Sequence, residues 1–259
     1  MGNRRLLLFI LAGIFINILI LPCQDFHTTI LTPQSLPTVP TASTFTKNDP
    51  TDPLVYWDSG LSYVESVNLA ITIEKNETYE ANSNVFRYYE LFHSSPNWVD
   101  SDKSTIRVHG VILSPQKSSP DDKFPGYLLM HGLYSSAADV LQLGIELAEE
   151  GCLVLMTDHP GHGQSEGAKP SADNFYFKGD YNKTAHCFLT TCAAIQAIRL
   201  LQSWSEVNSS KIAVGGFSYG GLNSIYVSSV YSNHINLTMP MLVTRSEEHT
   251  SELQSPNTI

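Results

Sequence analysis

Three short apolar runs, each ending in a turn built from glycine and small or polar residues, constrain this chain more than any other feature. Residues 126–130 run into His131-Gly132-Leu133-Tyr134. Residues 153–157 run into Asp158-His159-Pro160-Gly161-His162-Gly163-Gln164-Ser165. Residues 211–215 run into Gly216-Phe217-Ser218-Tyr219-Gly220. Runs with no polar alternation suit strands buried on both faces, as in a parallel sheet covered by helices on each side. The covering helices are expected at 137–150 and 182–204. The first turns Val140, Leu141, Leu143, Leu147 and Ala148 inward, with Gly151 as its C-cap; the second turns Phe188, Cys192, Ile195, Ile198, Leu200 and Leu201 inward. Ahead of them, 85–92 and 104–113 alternate like antiparallel strands joined by a polar loop. Residues 61–80 read as β or irregular structure.

The third turn carries the chemistry. A serine on a sharp strand-to-helix turn keeps its Oγ clear of the sheet, over the positive end of the following helix. Gly216 and Gly220 give that turn room, because a Cβ there would meet a neighbouring strand or helix. Strand-His-Gly, then strand-Asp-x-x-Gly-x-Gly-x-Ser, then Gly-x-Ser-x-Gly, in that order, resembles the α/β-hydrolase superfamily over residues 86–244. The wording HPGHGQSEG is similar to the serine-aminopeptidase and monoacylglycerol-lipase branch.

The resemblance implies an α/β fold: the three-layer α/β-hydrolase sandwich on a mostly parallel sheet, incomplete at its C-terminal end. It implies Ser218 as nucleophile, with the backbone N–H groups of Leu133 and Tyr219 as the oxyanion hole. His131, Gly132, Asp158, Gly216 and Gly220 take structural places at the site, and His162 helps to fix the Asp158 turn. The implied activity is hydrolysis of a carboxylic ester or peptide bond in a small-molecule substrate, with no metal and no cofactor. In this superfamily the acid and the histidine follow the serine along the chain, so both are expected after Ser218. A non-catalytic binding or adhesion module of the same fold at the cell surface is the alternative reading.

Beyond residue 244 the sequence changes character. Residues 245–255, RSEEHTSELQS, match the in-frame translation of a common sequencing adapter, so 245–259 reads as an artefactual tail and His249 is not a candidate base. His234 reads as a surface histidine. A chain ending near residue 244, without its acid and histidine, is expected to be inactive.

The formal net charge is −10. An acidic chain without basic clusters argues against a nucleic-acid partner, since phosphate neutralisation needs Lys and Arg patches. At the other end, Arg4 and Arg5 precede an uncharged apolar run, 6–21. Residues 1–23 therefore read as a signal peptide or a membrane-anchoring helix, which puts the rest outside the cytoplasm, membrane-anchored or secreted. Residues 24–55 are rich in Thr, Pro and Ser and read as a disordered stalk before the partial hydrolase domain at 56–244. Cys23, Cys152, Cys187 and Cys192 read as free thiols rather than a disulfide framework.

Overall fold

The computed structural model describes residues 8–11, 14–17, 53–99, 104–171, 173–175 and 185–241. The stalk reading up to residue 52 and the tail at 245–259 lie outside the described residues.

Seven strands form one sheet: β3 (Thr72–Ala81), β4 (Asn84–Pro96), β5 (Thr105–Pro115), β6 (Phe124–Met130), β7 (Leu153–Thr157), β8 (Val207–Phe217) and β9 (Leu237–Met241). Their order is β3-β4-β5-β7-β6-β8-β9. The first three strands are antiparallel, and β5 meets β7 antiparallel. From β7 through β6 and β8 to β9 the pairing is parallel. β6 is buried on both faces and splits its side chains between two cores. Leu128 and Met130 join the cluster under α3 (His186–Ser203), while Tyr127 and Leu129 join the cluster under α2 (Leu141–Glu149). That is the helix-covered sheet expected from the apolar runs, in the three-layer α/β-hydrolase arrangement that the motif resemblance implies.

Helix α1 (Pro53–Ser66) differs from the sequence reading, which left 61–80 as β or irregular and let the stalk run to residue 55. Trp57, Gly60, Leu61 and Val64 recur at helical spacing, and Pro53 suits a first helical position. Their partner is distant in sequence: the Trp57 ring lies 4.8 Å from that of Phe188 on α3. Arg199 of α3 donates to the carbonyls of Val64 and Val67 at 3.0 Å each, satisfying the end of α1. The expected helix at 137–150 opens instead with a 3-10 turn, Ala137–Val140, before α2 begins.

At the N-terminal end, the run expected as one membrane-anchoring or signal helix is described as two short strands, β1 (Leu8–Leu11) and β2 (Ile14–Asn17), paired antiparallel. Phe9, Ile10, Ile14, Phe15 and Ile16 are residue types that favour strands. Among the described residues no helix is long and apolar enough to cross a membrane. The cysteines also depart from expectation. Cys187 and Cys192 are buried and not disulfide-bonded, but buried Cys152 is disulfide-bonded.

β3 and β4 are joined by Asn82 and Ser83, with φ of 49° and 68°. Two central residues with positive φ are the signature of a type I′ hairpin, which prefers Asn-Gly. Ser83 takes a conformation that costs a residue with a Cβ roughly 1–2 kcal/mol. Ser83→Gly is therefore expected to stabilise the protein by about 1 kcal/mol, read as a higher urea midpoint with unchanged slope; a lower midpoint would show that the serine hydroxyl matters more than the strain.

Candidate active site

Parallel pairing brings three loops to one end of the sheet. Met130 pairs with Thr157 on one side and with Gly216 on the other, so the chain leaves all three strands at the same level. The turns after β6, β7 and β8 therefore emerge side by side. These are the three motif turns.

Ser218 sits between β8 and α4 (Tyr219–Val230) with φ 54° and ψ −111°. A residue with a Cβ pays roughly 1–3 kcal/mol for so sparsely populated a backbone and keeps it only where the surroundings enforce it. The enforcement is visible. The Ser218 N–H donates to the Met241 carbonyl at the end of β9 (2.9 Å), and the Ser218 carbonyl accepts the Leu222 N–H (3.0 Å). A Cβ built on Gly216 would lie 2.5 Å from the Met130 carbonyl oxygen, and one on Gly220 would lie 2.6 Å from that of His131. Only glycines allow β8 and α4 to approach β6 this closely.

On the neighbouring arm, a Cβ on Gly132 would stand 3.7 Å from the Ser218 Cβ. Leu133 is half-buried and Tyr134 is 78% exposed, with φ 59°. Tyr219 begins α4, so its N–H has no acceptor within the helix. The structure thus brings Ser218, Gly132, Gly216 and Gly220 together, with Leu133 and Tyr219 following directly on Gly132 and Ser218.

His131 is fully buried, and both its ring nitrogens are engaged. Nδ1 faces the Gly132 carbonyl at 2.6 Å, where only an N–H can serve, and Nε2 accepts the His159 N–H at 3.0 Å. Burial pushes its pKa down to about 4. It is a neutral fixture of the arm. Asp158 is the hub of the second turn. Its carboxylate accepts from His109 Nδ1 (2.8 Å), the Ala137 N–H (2.6 Å) and the Gln164 N–H (2.9 Å). Burial acts to raise its pKa, but these hydrogen bonds outweigh it and hold the carboxyl below its ordinary value. Gly163, at φ 50°, leaves the carboxylate its space; a Cβ there would run into both oxygens.

Around Tyr219 lies a set of groups that the sequence reading did not single out. The Tyr219 hydroxyl is 2.8 Å from His186 Nδ1, and His186 Nε2 is 2.9 Å from the Pro160 carbonyl. The Phe175 and His159 rings pack on the Tyr219 ring at 4.9 and 5.2 Å. The available signal was polar: His186, Thr190 and Thr191 interrupt the apolar face of α3, and all three are buried. His162 Nδ1 donates to the Pro160 carbonyl at 3.1 Å, while its buried Nε2 has no hydrogen-bond partner among the described residues.

Among the described residues no side chain is hydrogen-bonded to Ser218 Oγ. His234 is half-buried rather than on the open surface, stacked on Tyr231 with ring centroids 4.0 Å apart. It precedes β9, at the sheet end opposite Ser218, as does a cleft of about 460 Å³ lined by Leu61, Glu65, Tyr231 and His234. The acid and histidine expected after Ser218 fall outside the described residues.

The family model for the alpha/beta hydrolase fold matches residues 128–245. Among solved structures, the chain is similar to an acetyl xylan esterase from Paenibacillus sp. R4, at 20% identity and a TM-score of 0.55, covering 73% of this chain and 58% of that one. It is also similar to acetyl xylan esterase 1 from a Thermoanaerobacterium species, at 20% identity and a TM-score of 0.51, covering 71% and 56%. At this identity the likeness is one of fold, and the chain spans less than two thirds of either structure. No curated protein matches the sequence.

Two measurements check this account. Gly220→Ala drives a Cβ into the Met130 and His131 carbonyls and is expected to cost at least about 1–3 kcal/mol, as overpacking does; a variant as stable as the parent would mean that the approach is looser. The second concerns acid. Burial holds His93, His131 and His186 at about 4 and lowers His159 and His162. Unfolded histidines bind protons near pH 6.5 and these do not, so stability is fully present above that pH and is lost as pH falls toward 4. The urea midpoint should fall steeply between pH 6.5 and 4.5, with more than one proton taken up on unfolding. A flat profile would contradict neutral buried imidazoles.

Proposed function

The chain has the α/β-hydrolase fold, and from that premise we propose that it is a serine hydrolase that cleaves carboxylic esters through an acyl-enzyme on Ser218. One observation carries the reading. Ser218 holds a positive-φ backbone conformation at the end of β8, with Gly132 alongside, where an added Cβ would stand 3.7 Å from that of Ser218. A serine fixed at such a cost beside two turns of backbone N–H groups is suited to attack and to charge stabilisation.

In this reading Ser218 Oγ attacks the acyl carbonyl, and the carbonyl oxygen becomes an oxyanion. The N–H of Tyr219, at the positive end of α4, and the N–H of Leu133 receive that charge. Removing one such donor typically costs roughly 3–4 kcal/mol of transition-state stabilisation. The Oγ proton requires a base. His131 does not serve, because one ring nitrogen donates to Gly132 and the other accepts from His159. The superfamily resemblance assigns that task to a histidine later in the chain, steadied by an acid. Peptide bonds are a second substrate class for the same chemistry, with a poorer leaving group.

The test is covalent labelling of the natural full-length protein with a fluorophosphonate, together with hydrolysis of short acyl esters. Labelling is expected at Ser218 and should vanish in Ser218→Ala. A folded full-length protein that does not label would instead favour the non-catalytic binding module.

The basic-then-apolar start and the disulfide at Cys152 support a domain outside the cytoplasm, anchored through residues 1–23 or secreted, because disulfides persist in oxidising compartments. Protease protection of the expressed protein in sealed vesicles checks this. A cytoplasmic pool with Cys152 reduced would overturn it.

A further inference from the structure

We propose that His186 is a positioning residue for the Ser218 turn: it anchors the Tyr219 side chain to the Pro160 turn and so fixes the Tyr219 backbone N–H beside the nucleophile. The inference rests on the reading of Ser218 as nucleophile, and it adds a device that the motifs themselves do not contain.

The direction of the hydrogen bonds follows from their partners. A carbonyl oxygen only accepts, so His186 Nε2, 2.9 Å from the Pro160 oxygen, carries the proton. The ring is fully buried and neutral at pH 7, since burial holds its pKa at about 4. Nδ1 is then a bare acceptor, and the Tyr219 hydroxyl, 2.8 Å away, donates to it. Thr190 Oγ1 stands 3.3 Å from the same hydroxyl and closes the group from one helical turn along α3. Phe175 and His159 hold the Tyr219 ring from two sides. The result is a directed chain: Tyr219 O–H to His186, and His186 N–H to Pro160.

Its leverage comes from position. Tyr219 is the residue after Ser218, whose φ of 54° has to be enforced from outside. The glycines and the Met241 carbonyl enforce it from the sheet side. The Tyr219 side chain is the tether on the other side, reaching α3 and the turn after β7. His131 stiffens the opposite arm, through Gly132 and His159. Each arm beside the serine is therefore steadied by its own neutral histidine, and His159 touches both.

Three variants of the full-length protein separate anchoring from mere packing. Tyr219→Phe removes the donor. His186→Gln reproduces the Nε2 donor toward Pro160 but loses the acceptor for Tyr219. His186→Asn keeps an oxygen where Nδ1 stood. The readouts are amide hydrogen exchange across residues 218–221 and the rate of fluorophosphonate labelling at Ser218. Tyr219→Phe and His186→Gln are expected to speed exchange and to slow labelling by about tenfold, less than the 10²–10³ lost with an oxyanion donor outright. The double variant should be no slower than the slower single, because the two share one bond, and His186→Asn should recover most of the rate. Unchanged labelling in Tyr219→Phe and His186→Gln overturns the proposal, and so does His186→Asn falling as low as His186→Gln. If the parent protein does not label at all, the nucleophile reading fails separately. The anchor then stands or falls on exchange alone, and unaltered exchange in both variants overturns it.

Discussion

Everything at this site depends on how closely the end of β8 and the start of α4 approach the end of β6. The approach is backbone against backbone: Gly216 and Gly220 lie on the Met130 and His131 carbonyls with no room for a methyl group. That contact sets the turn angle at Ser218, and with it the direction of the serine side chain. It also sets the distance to the Gly132 arm, because the same His131 carbonyl is pinned by His159 Nε2 at 2.8 Å. A single steric constraint thus locates the candidate nucleophile, its helix and the neighbouring loop.

The second turn serves the other two without reaching the serine. The Asp158 carboxylate satisfies the first N–H of the Ala137–Val140 turn, one N–H of its own loop and the ring of His109 on β5. Ser165 and Glu166 bond back to the β5 backbone at His109 and Arg107. The loop after β7 is therefore laced to an antiparallel strand on one side and to the Gly132 arm, through His131 and His159, on the other. Three accepted hydrogen bonds at one buried carboxylate explain why it stays ionised, where an unpaired one would not.

The parts of this architecture legible in the sequence are those that local rules dictate. Continuous apolar runs, glycines flanking Ser218 and a turn after each run specified the parallel core and the three loops at its end. What escaped depends on partners far away in the chain. The stripe Trp57-Gly60-Leu61-Val64 has a helical period, but its meaning lies in Phe188, more than a hundred residues later. The Asn82-Ser83 hairpin lacks the glycine that usually announces such a turn. His186 and Phe175 matter because of Tyr219, and no spacing rule links them. The disulfide at Cys152 lay beyond reading, since one cysteine at the start of a buried strand says nothing of its mate. The N-terminal run shows the converse limit: its composition suits a membrane helix and a strand pair equally, and periodicity did not decide between them.

The strand order has a consequence for how the molecule is made. β6 lies between β7 and β8, so both its neighbours follow it in the chain. The antiparallel ribbon β3-β4-β5 needs only short connections and can close while synthesis continues. β6 has no strand to pair with until residues 153–157 exist, and its second edge stays bare until residues 207–216 are in place. Contacts of such sequence separation are slow to form, and an apolar strand with open edges is the part of a nascent chain most prone to pairing with the wrong partner. A strand at the centre of the finished sheet is, during synthesis, one that waits long for its neighbours.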